Sequence, residues 1–324
     1  MFSPNEMNTF PTRKALIVAN PAAGTMRTKI LAELTVLCRT RLERVDIRLT
    51  TRRGDTRDIV RAALDAPEAT APDLVIAVGG DGTVGEVIAG MTAGLRPAGA
   101  ALAIVPAGTG NSGYRMLWGC RPWQESVRAA LVGPAGAERR IVDLALLIET
   151  GTLVCLGACS GVIAQALETA RGIPLTGPAR YARALADTAE TFTAYPGRVT
   201  VDGAVCHEGE TVFANVGGGR IRGGQYLVLP LSVPDDGLLD VCAVGGEVHP
   251  TQVAELTLTG SHLRRPGVVY ARGRTIRVER LDGLPLCYEH DGELQSAGGP
   301  AMTLEVLPAM IPVWGALPAE GAAA

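Results

Sequence analysis

The stretch that decides the fold is Asp73-Leu-Val-Ile-Ala-Val-Gly-Gly-Asp-Gly-Thr83. It begins with an apolar run typical of a buried parallel strand and continues into two glycines, an acidic residue and a threonine. Residues with helical spacing follow over Thr83–Met91, so the stretch predicts a strand, a tight turn and a helix. The unpaired N–H groups at the start of such a helix favour an anion such as phosphate.

Two further loops repeat this arrangement in the first half of the chain. Pro106-Ala-Gly-Thr-Gly-Asn111 follows the apolar run Ala101–Val105, and Asn20-Pro-Ala-Ala-Gly24 follows the run that begins at Lys14. Because the carboxyl ends of parallel strands meet at one edge of a sheet, we expect the three loops to lie side by side. Together they predict a nucleotide site built mainly from backbone donors.

The composition restricts the function classes. The chain has 324 residues, of which 47% are hydrophobic and 19% charged, so it folds and has room for two domains. Its net charge of −3 provides no overall field that attracts nucleic acid. The only lysines are Lys14 and Lys29, and neither lies in a G-x-x-x-x-G-K-[ST] sequence, which excludes a P-loop NTPase. The scattered cysteines form no C-x-x-C pair and indicate a reducing cytoplasm.

The first half of the chain alternates strands with helices. Further strands are predicted at Lys14–Asn20, Arg44–Leu49 and Ala101–Val105, and further helices at Thr28–Arg39, Arg57–Leu64 and Trp123–Val132. This alternation predicts an α/β domain with a parallel sheet over residues 1–135. The glycine- and proline-bearing segment Gly133–Ala137 is predicted to be a linker.

The second half is predicted to be mostly β, a sandwich-like domain over residues 136–307. The predicted strands are Ile141–Ile148, Leu153–Ala158, Arg198–Val201, Glu210–Val216, Leu238–Val244, Thr275–Glu279, Leu286–His290 and Met302–Val306. Helical spacing interrupts them at Pro178–Thr191 and Thr251–Leu263. Residues 308–324 could pack back on the first domain, and the tail Pro318–Ala324 is predicted to fray.

Taken in their order along the chain, the three loops resemble those of the diacylglycerol kinase catalytic domain superfamily. This superfamily includes bacterial lipid kinases and sphingosine kinases. The resemblance continues through Gly217–Gly224, Asp236-Gly-Leu-Leu-Asp240 and Asp291-Gly-Glu293, and covers roughly residues 14–307. It implies a kinase with an α/β nucleotide-binding domain and a mostly β acceptor domain. The activity implied is transfer of the ATP γ-phosphate to a hydroxyl of diacylglycerol or a related lipid, with Mg2+ as cofactor.

The resemblance also implies roles for individual residues. Glu293 matches the general base, with Asp291 beside it and Asp81 as a third carboxylate for catalysis. The residues that match nucleotide contacts are Asn20, Gly24, Thr50, Gly79, Gly80, Asp81, Gly82, Thr83, Gly108, Thr109 and Asn111. A metal-binding loop is implied at Asp236, with the main-chain oxygens of Val233 and Leu238. From the residues alone, Asp291-Gly292 also remains open as a plain hairpin turn, since Asp-Gly is a strong turn pair.

The sequence departs from the family pattern at several places, which include Ala23 in place of a usual Ser and Gly85 in place of a frequent Asn. Ser112 stands where the family usually has Asp, and Gly161-Val-Ile-Ala164 lacks the acid common in the corresponding turn. Two alternatives therefore stay open beside the lipid kinase. One is a phosphotransferase resembling NAD kinase, which shares the Gly-Gly-Asp-Gly-Thr loop. The other is a catalytically weak regulator that binds lipid or nucleotide.

Partners and location follow from the same resemblance. The expected partner is a lipid substrate, and no polybasic cluster or anchor predicts firm membrane attachment. We therefore expect a cytoplasmic protein with peripheral, transient contact at the inner face of the membrane. Neither the acceptor lipid nor the oligomeric state can be derived from the sequence.

Overall fold

The computed structural model describes residues 12–24, 26, 28–133, 137–295 and 298–316. Residues 134–136 of the predicted linker and the predicted tail Pro318–Ala324 lie outside the described residues. The chain forms two compact units. The first comprises the chain up to Val142 together with the residues from Ala309, and the second is Asp143–Pro308.

The first unit is an α/β fold, as the alternation of strands and helices predicts. Its strands are β1 (Lys14–Ala19), β2 (Arg44–Leu49), β3 (Leu74–Gly79) and β4 (Ala101–Pro106). Its helices are α1 (Thr28–Arg39), α2 (Asp55–Leu64), α3 (Asp81–Met91), α4 (Ser112–Trp118) and α5 (Trp123–Val132), with a short 3-10 turn at Ala93–Leu95. The strands pair in parallel in the order β4-β3-β1-β2, which brings their carboxyl ends to one edge.

The core of the first unit explains why these segments form strands. All six residues of β3 are buried, so both faces of this central strand are covered, and an uninterrupted apolar run is required. Ile17, Leu34, Ile76 and Val105 pack together in this core. At the end of the chain, Val313 pairs in parallel with Leu102 of β4.

The second unit is mostly β, as predicted. The strands that lie in it or enter it are β5 (Ala137–Leu147), β6 (Thr152–Val154), β7 (Ala158–Ser160), β8 (Tyr195–Val201), β9 (Ala204–Gly217), β10 (Ile221–Arg222), β11 (Tyr226–Leu227), β12 (Leu239–Gly245), β13 (Val268–Gly273), β14 (Thr275–Arg280), β15 (Tyr288–His290), β16 (Glu293–Gln295) and β17 (Ala301–Ala316). Its helices are α6 (Val162–Ala170), α7 (Gly177–Thr191) and α8 (Val253–Thr259), with 3-10 turns at Pro250–Gln252 and Ser261–Arg264.

Antiparallel pairing dominates the second unit. Its strands follow the order β16-β15-β7-β9-β8-β14-β17, while β12 pairs with both β9 and β13. One apolar cluster packs around Tyr195, Ile276 and Met302. A second cluster, around Phe213, packs α6 and α7 against a face of the sheet.

One predicted strand differs from the structure. Leu153–Ala158 divides into the end of β6, a turn, and the start of β7. The turn forms because the backbone N–H groups of Cys155 and Leu156 point to the carboxylate of Asp291, and Gly157 adopts a positive φ of 137°. These backbone N–H groups therefore donate to a side chain. In a continuous strand they would donate to a neighbouring strand.

Candidate functional site

The three glycine-bearing loops of the first unit converge, as predicted. A Cβ atom on Gly108 would lie 2.2 Å from the Cα atom of Gly80, so the two loops touch through their backbones. A Cβ atom on Gly24 would lie 3.4 Å from the Oγ1 atom of exposed Thr109, which joins the third loop to this group. Glycine at positions 80 and 108 is therefore required by the close approach of two chain segments.

Asp81 connects two of these loops. Its carboxylate accepts hydrogen bonds from the backbone N–H groups of Ser112 and Gly113, each at 3.0 Å. These donors are the first two N–H groups of α4, so Asp81 caps that helix from another segment of the chain. The N-terminus of α4 is thus already occupied by a carboxylate.

Three polar side chains of the predicted nucleotide set stabilise the loops themselves. Asn20 donates through Nδ2 to Thr83 Oγ1 at 3.3 Å and accepts from the Ala22 N–H at 2.9 Å. Asn111, with φ of 56°, accepts from the Gly108 N–H and donates to the Gly108 carbonyl, both at 2.9 Å. These bonds shape the loops and leave the backbone to face a ligand.

The N-terminus of α3 is built differently from that of α4. Its cap residue is Gly80, in an extended conformation with no side-chain hydrogen bond to the helix. Gly82, in the first turn, is exposed, and a Cβ atom there would meet no atom within 4 Å. The start of α3 therefore has open space beside Gly82, and the first N–H groups of a helix have no acceptor within the helix. This arrangement fits an anion.

Thr50 lies beside the same edge. It is 9% exposed and donates its backbone N–H to the Ala19 carbonyl at 3.0 Å. The loop after it is held by Glu86 of α3, whose Oε1 accepts from the Gly54 N–H at 3.0 Å. The sequence did not predict this role of Glu86.

In the second unit, Asp291 and Gly292 form a two-residue hairpin turn. They join β15 to β16, with His290 opposite Glu293, and have φ of 48° and 87°. Positive φ at both central residues is typical of a type I′ turn. Asp291-Gly292 thus forms the turn that this residue pair predicts, and Glu293 is exposed at the start of β16.

The carboxylate of Asp291 is committed to the backbone. It accepts from the N–H groups of Cys155 and Leu156 at 2.7 Å and from that of Gly157 at 3.3 Å. Burial raises the pKa of Asp291, while the Arg222 charge and the backbone donors oppose this rise. The residue therefore anchors the hairpin to the turn after β6.

A buried ion pair stabilises the hairpin turn, and the sequence did not predict it. The guanidinium of Arg222 contacts the carboxylate of Glu289, and their side chains are 10% and 5% exposed. Glu289 also accepts from the Gly292 N–H at 2.8 Å, so the pair fixes the turn that precedes Glu293. Two features of the sequence pointed to this pair. Arg222 lies inside the Gly217–Gly224 segment, and Glu289 is a charged residue in a mostly apolar predicted strand.

The residues of the predicted metal loop do not fit a cation. The guanidinium of Arg272 contacts the Asp236 carboxylate, and the Leu238 N–H donates to Asp236 Oδ1 at 3.1 Å. The one side chain of the predicted metal set is thus already paired with a guanidinium. Across the described residues, the structure brings no three His, Cys, Asp or Glu side chains together as a metal site.

The comparisons with known proteins agree with this geometry. The family model of the diacylglycerol kinase catalytic domain matches residues 14–145, and that of the YegS C-terminal NAD kinase beta sandwich-like domain matches residues 157–315. A Pseudomonas aeruginosa protein named "Probable lipid kinase YegS-like" is 32% identical over 263 residues, which is 76% of this chain and 77% of that protein. The chain belongs to the YegS-like lipid kinase family. Membership in this family, with a kinase catalytic domain, makes the chain a phosphotransferase.

Solved structures extend the likeness to the fold. A proposed diacylglycerol kinase from Bacillus anthracis has a TM-score of 0.72 at 24% identity, covering 94% of this chain and 97% of that one. Yeast NADH kinase has a TM-score of 0.50 at 10% identity, covering 96% of this chain and 85% of that one. The expected fold class is confirmed. No helix within the described ranges is long and apolar enough to cross a membrane.

Proposed function

We propose that this kinase transfers the γ-phosphate of ATP to a hydroxyl of diacylglycerol or a related lipid. The observation that carries the nucleotide half of this proposal is the uncapped N-terminus of α3. Its free N–H groups and the positive end of the helix dipole attract a phosphate group. The backbone donors of Gly79–Thr83 and Gly108 would hold the triphosphate without a lysine. Gly24, Thr50 and Thr109 complete the proposed contact set.

Mg2+ would neutralise phosphate charge during the transfer, as in other phosphoryl transfers. The described residues offer no cluster of three carboxylate, imidazole or thiol ligands to hold such an ion. We infer that the ion arrives with the triphosphate and keeps most of its water ligands, which suits the reluctance of Mg2+ to lose water.

Glu293 is the strongest candidate for the general base among the three predicted carboxylates. Asp81 and Asp291 already accept backbone N–H groups, two and three respectively. Glu293 is exposed on a turn that Asp291 and the Arg222–Glu289 pair keep rigid. An acceptor hydroxyl whose proton it removes becomes the attacking oxygen.

The lipid acceptor is supported by the family and by the names of its members. We propose a cytoplasmic enzyme that meets its lipid by peripheral, transient contact with the inner face of the membrane. Ser112, where the family usually has Asp, donates its backbone N–H to Asp81 and so takes part in the cap of α4.

The experiment is transfer of label from γ-labelled ATP with Mg2+ to acceptors offered separately. The acceptors are diacylglycerol, monoacylglycerol and ceramide in mixed vesicles, and NAD in solution. Transfer to a lipid hydroxyl supports the proposal, and diacylglycerol as the best acceptor supports it in full. Transfer to NAD alone would replace it with an NAD kinase activity. Nucleotide binding with no transfer to any acceptor would favour a binding regulator.

A further inference from the structure

The loop that carries Asp236 is hydrogen-bonded to another segment of the second unit. The carboxylate Oδ2 of Asp143 accepts from the Gly237 N–H at 2.7 Å, and the Asp143 N–H donates to the Pro234 carbonyl at 2.8 Å. These two bonds fasten the loop on both sides of Asp236. The loop therefore has a fixed shape before any ion is considered.

Arg272 supplies the positive charge at this loop. Its guanidinium contacts the Asp236 carboxylate, and its Nε lies 3.2 Å from Oδ1 of Asp240. Asp240 is 0% exposed, so its charge requires a partner inside the protein. One guanidinium thus bridges a loop carboxylate and a buried carboxylate.

The position of Arg272 follows from the strand register. Arg272 of β13 and Asp240 of β12 are direct cross-strand partners in the antiparallel ladder. Directly opposite residues of opposite charge stabilise such a pair. From there the side chain extends to the loop that precedes β12. A planar guanidinium with several donors can serve two carboxylates at once, which an ammonium group does less well.

We propose that Arg272 replaces a divalent cation at the Asp236 loop, so that the loop of this chain is stabilised by a side chain and does not bind metal. A cation bound by the Asp236 carboxylate would have to compete with the Arg272 guanidinium for it. This inference concerns the stability of the second unit and does not depend on the proposed lipid kinase activity.

The test uses the full chain without nucleotide, dialysed against EDTA and titrated with Mn2+, Mg2+ or Ca2+. For the natural protein we expect no change in Tm on chelation or on adding cation, and no tightly bound Mn2+ by electron paramagnetic resonance. A Tm that falls in EDTA and recovers with cation would overturn the proposal, whatever the variants do.

Variants localise the effect. Arg272→Ala should unfold at lower temperature in EDTA and gain a Tm increase with Mn2+, because the two carboxylates are then free to bind it. Adding Asp236→Asn to that variant should abolish the gain. Arg274→Ala, which removes an exposed arginine two residues away, should change neither property. An Arg272→Ala protein as stable as the natural one would contradict the proposal. If that variant does not fold, the cation titration of the natural protein still decides.

Discussion

Oδ2 of Asp81 lies 3.0 Å from the backbone nitrogen of Ser112 and accepts its hydrogen bond, although 31 residues separate the two in sequence. This bond joins the glycine loop after β3 to the start of α4. It explains how a carboxylate can lie in a region that we expect to bind phosphate. Its charge is matched by the N-terminus of one helix, while the N-terminus of α3 stays available. Asp81 thus caps α4, and the proposed phosphate site is at the start of α3.

Replacing Asp81 by asparagine should therefore weaken both loops. Each carboxylate oxygen accepts one N–H group, and an amide can supply only one acceptor, so a donor of α4 loses its partner. We expect a loss of about 1–2 kcal/mol in the free energy of unfolding, measured by denaturant titration. Asp58→Asn, at an exposed site in α2, should cost less than about 0.5 kcal/mol. Equal losses in the two variants would refute the capping role.

The glycines of these loops should divide into structural and ligand-facing positions. In Gly108→Ala the new methyl group would meet Gly80 backbone at 2.2 Å, so the loops must separate, at a cost of about 1–3 kcal/mol. Gly82→Ala meets no protein atom within 4 Å, so its Tm should be unchanged while its ATP affinity falls. Gly99→Ala, exposed and equally uncrowded, should change neither. ATP affinity by calorimetry that is normal in Gly82→Ala would argue against a phosphate at the start of α3.

We expect Asp291 to contribute to the free energy of unfolding, whatever its role in catalysis. In Asp291→Asn an NH2 group would face either the N–H of Cys155 or those of Leu156 and Gly157, because both carboxylate oxygens are in use. A buried donor without an acceptor costs about 1–3 kcal/mol. Thermal and denaturant unfolding measure this loss, and Asp65→Asn, with a side chain 71% exposed, is the control. A fully stable Asp291→Asn protein would show that these backbone bonds are dispensable.

The stability should fall in mildly acidic solution, and His262 should be one cause. Burial lowers the pKa of His262 below its ordinary value of 6.5, and its Nε2 lies 3.0 Å from the Val228 carbonyl oxygen. A group whose folded-state pKa is lowered favours the folded state above the unfolded pKa, and this stability is lost as the pH falls below it. The free energy of unfolding should therefore decrease as the pH drops below 6.5.

His262→Gln should flatten that pH dependence, because the amide can still donate to the Val228 carbonyl and does not titrate. A smaller slope will remain, since burial also lowers the pKa of His207. A slope that is identical in the natural protein and in His262→Gln would exclude His262 as its source.

The sequence was most informative where local pattern and tertiary structure agree. Leu74–Gly79 is buried on both faces of the sheet, and a short apolar run is typical of such a strand. Gly80 and Gly108 were singled out for turns, and they are needed because two backbones touch. In both cases the chemistry of a few adjacent residues determines the structure.

Contacts between distant segments could not be read in this way. The Arg222–Glu289 pair joins residues 67 positions apart, and nothing in either local stretch specifies the partner. The same holds for Arg272, which reaches Asp236 only because β12 and β13 pair in a particular register. The predicted metal loop is an example. Its own residues are compatible with a cation, but the positive charge beside Asp236 comes from Arg272 of β13.

The most direct test of the proposed chemistry is Glu293→Gln. If Glu293 removes the proton of the acceptor hydroxyl, kcat should fall by about 10²–10⁴-fold, because the amide cannot accept a proton. ATP affinity should stay unchanged, since Glu293 belongs to β16 of the second unit and the proposed phosphate contacts belong to α3 of the first. Exposed Glu190→Gln controls for loss of a surface charge. Turnover within twofold of the natural enzyme would remove Glu293 from the mechanism and return the assignment of the base to Asp81 or Asp291.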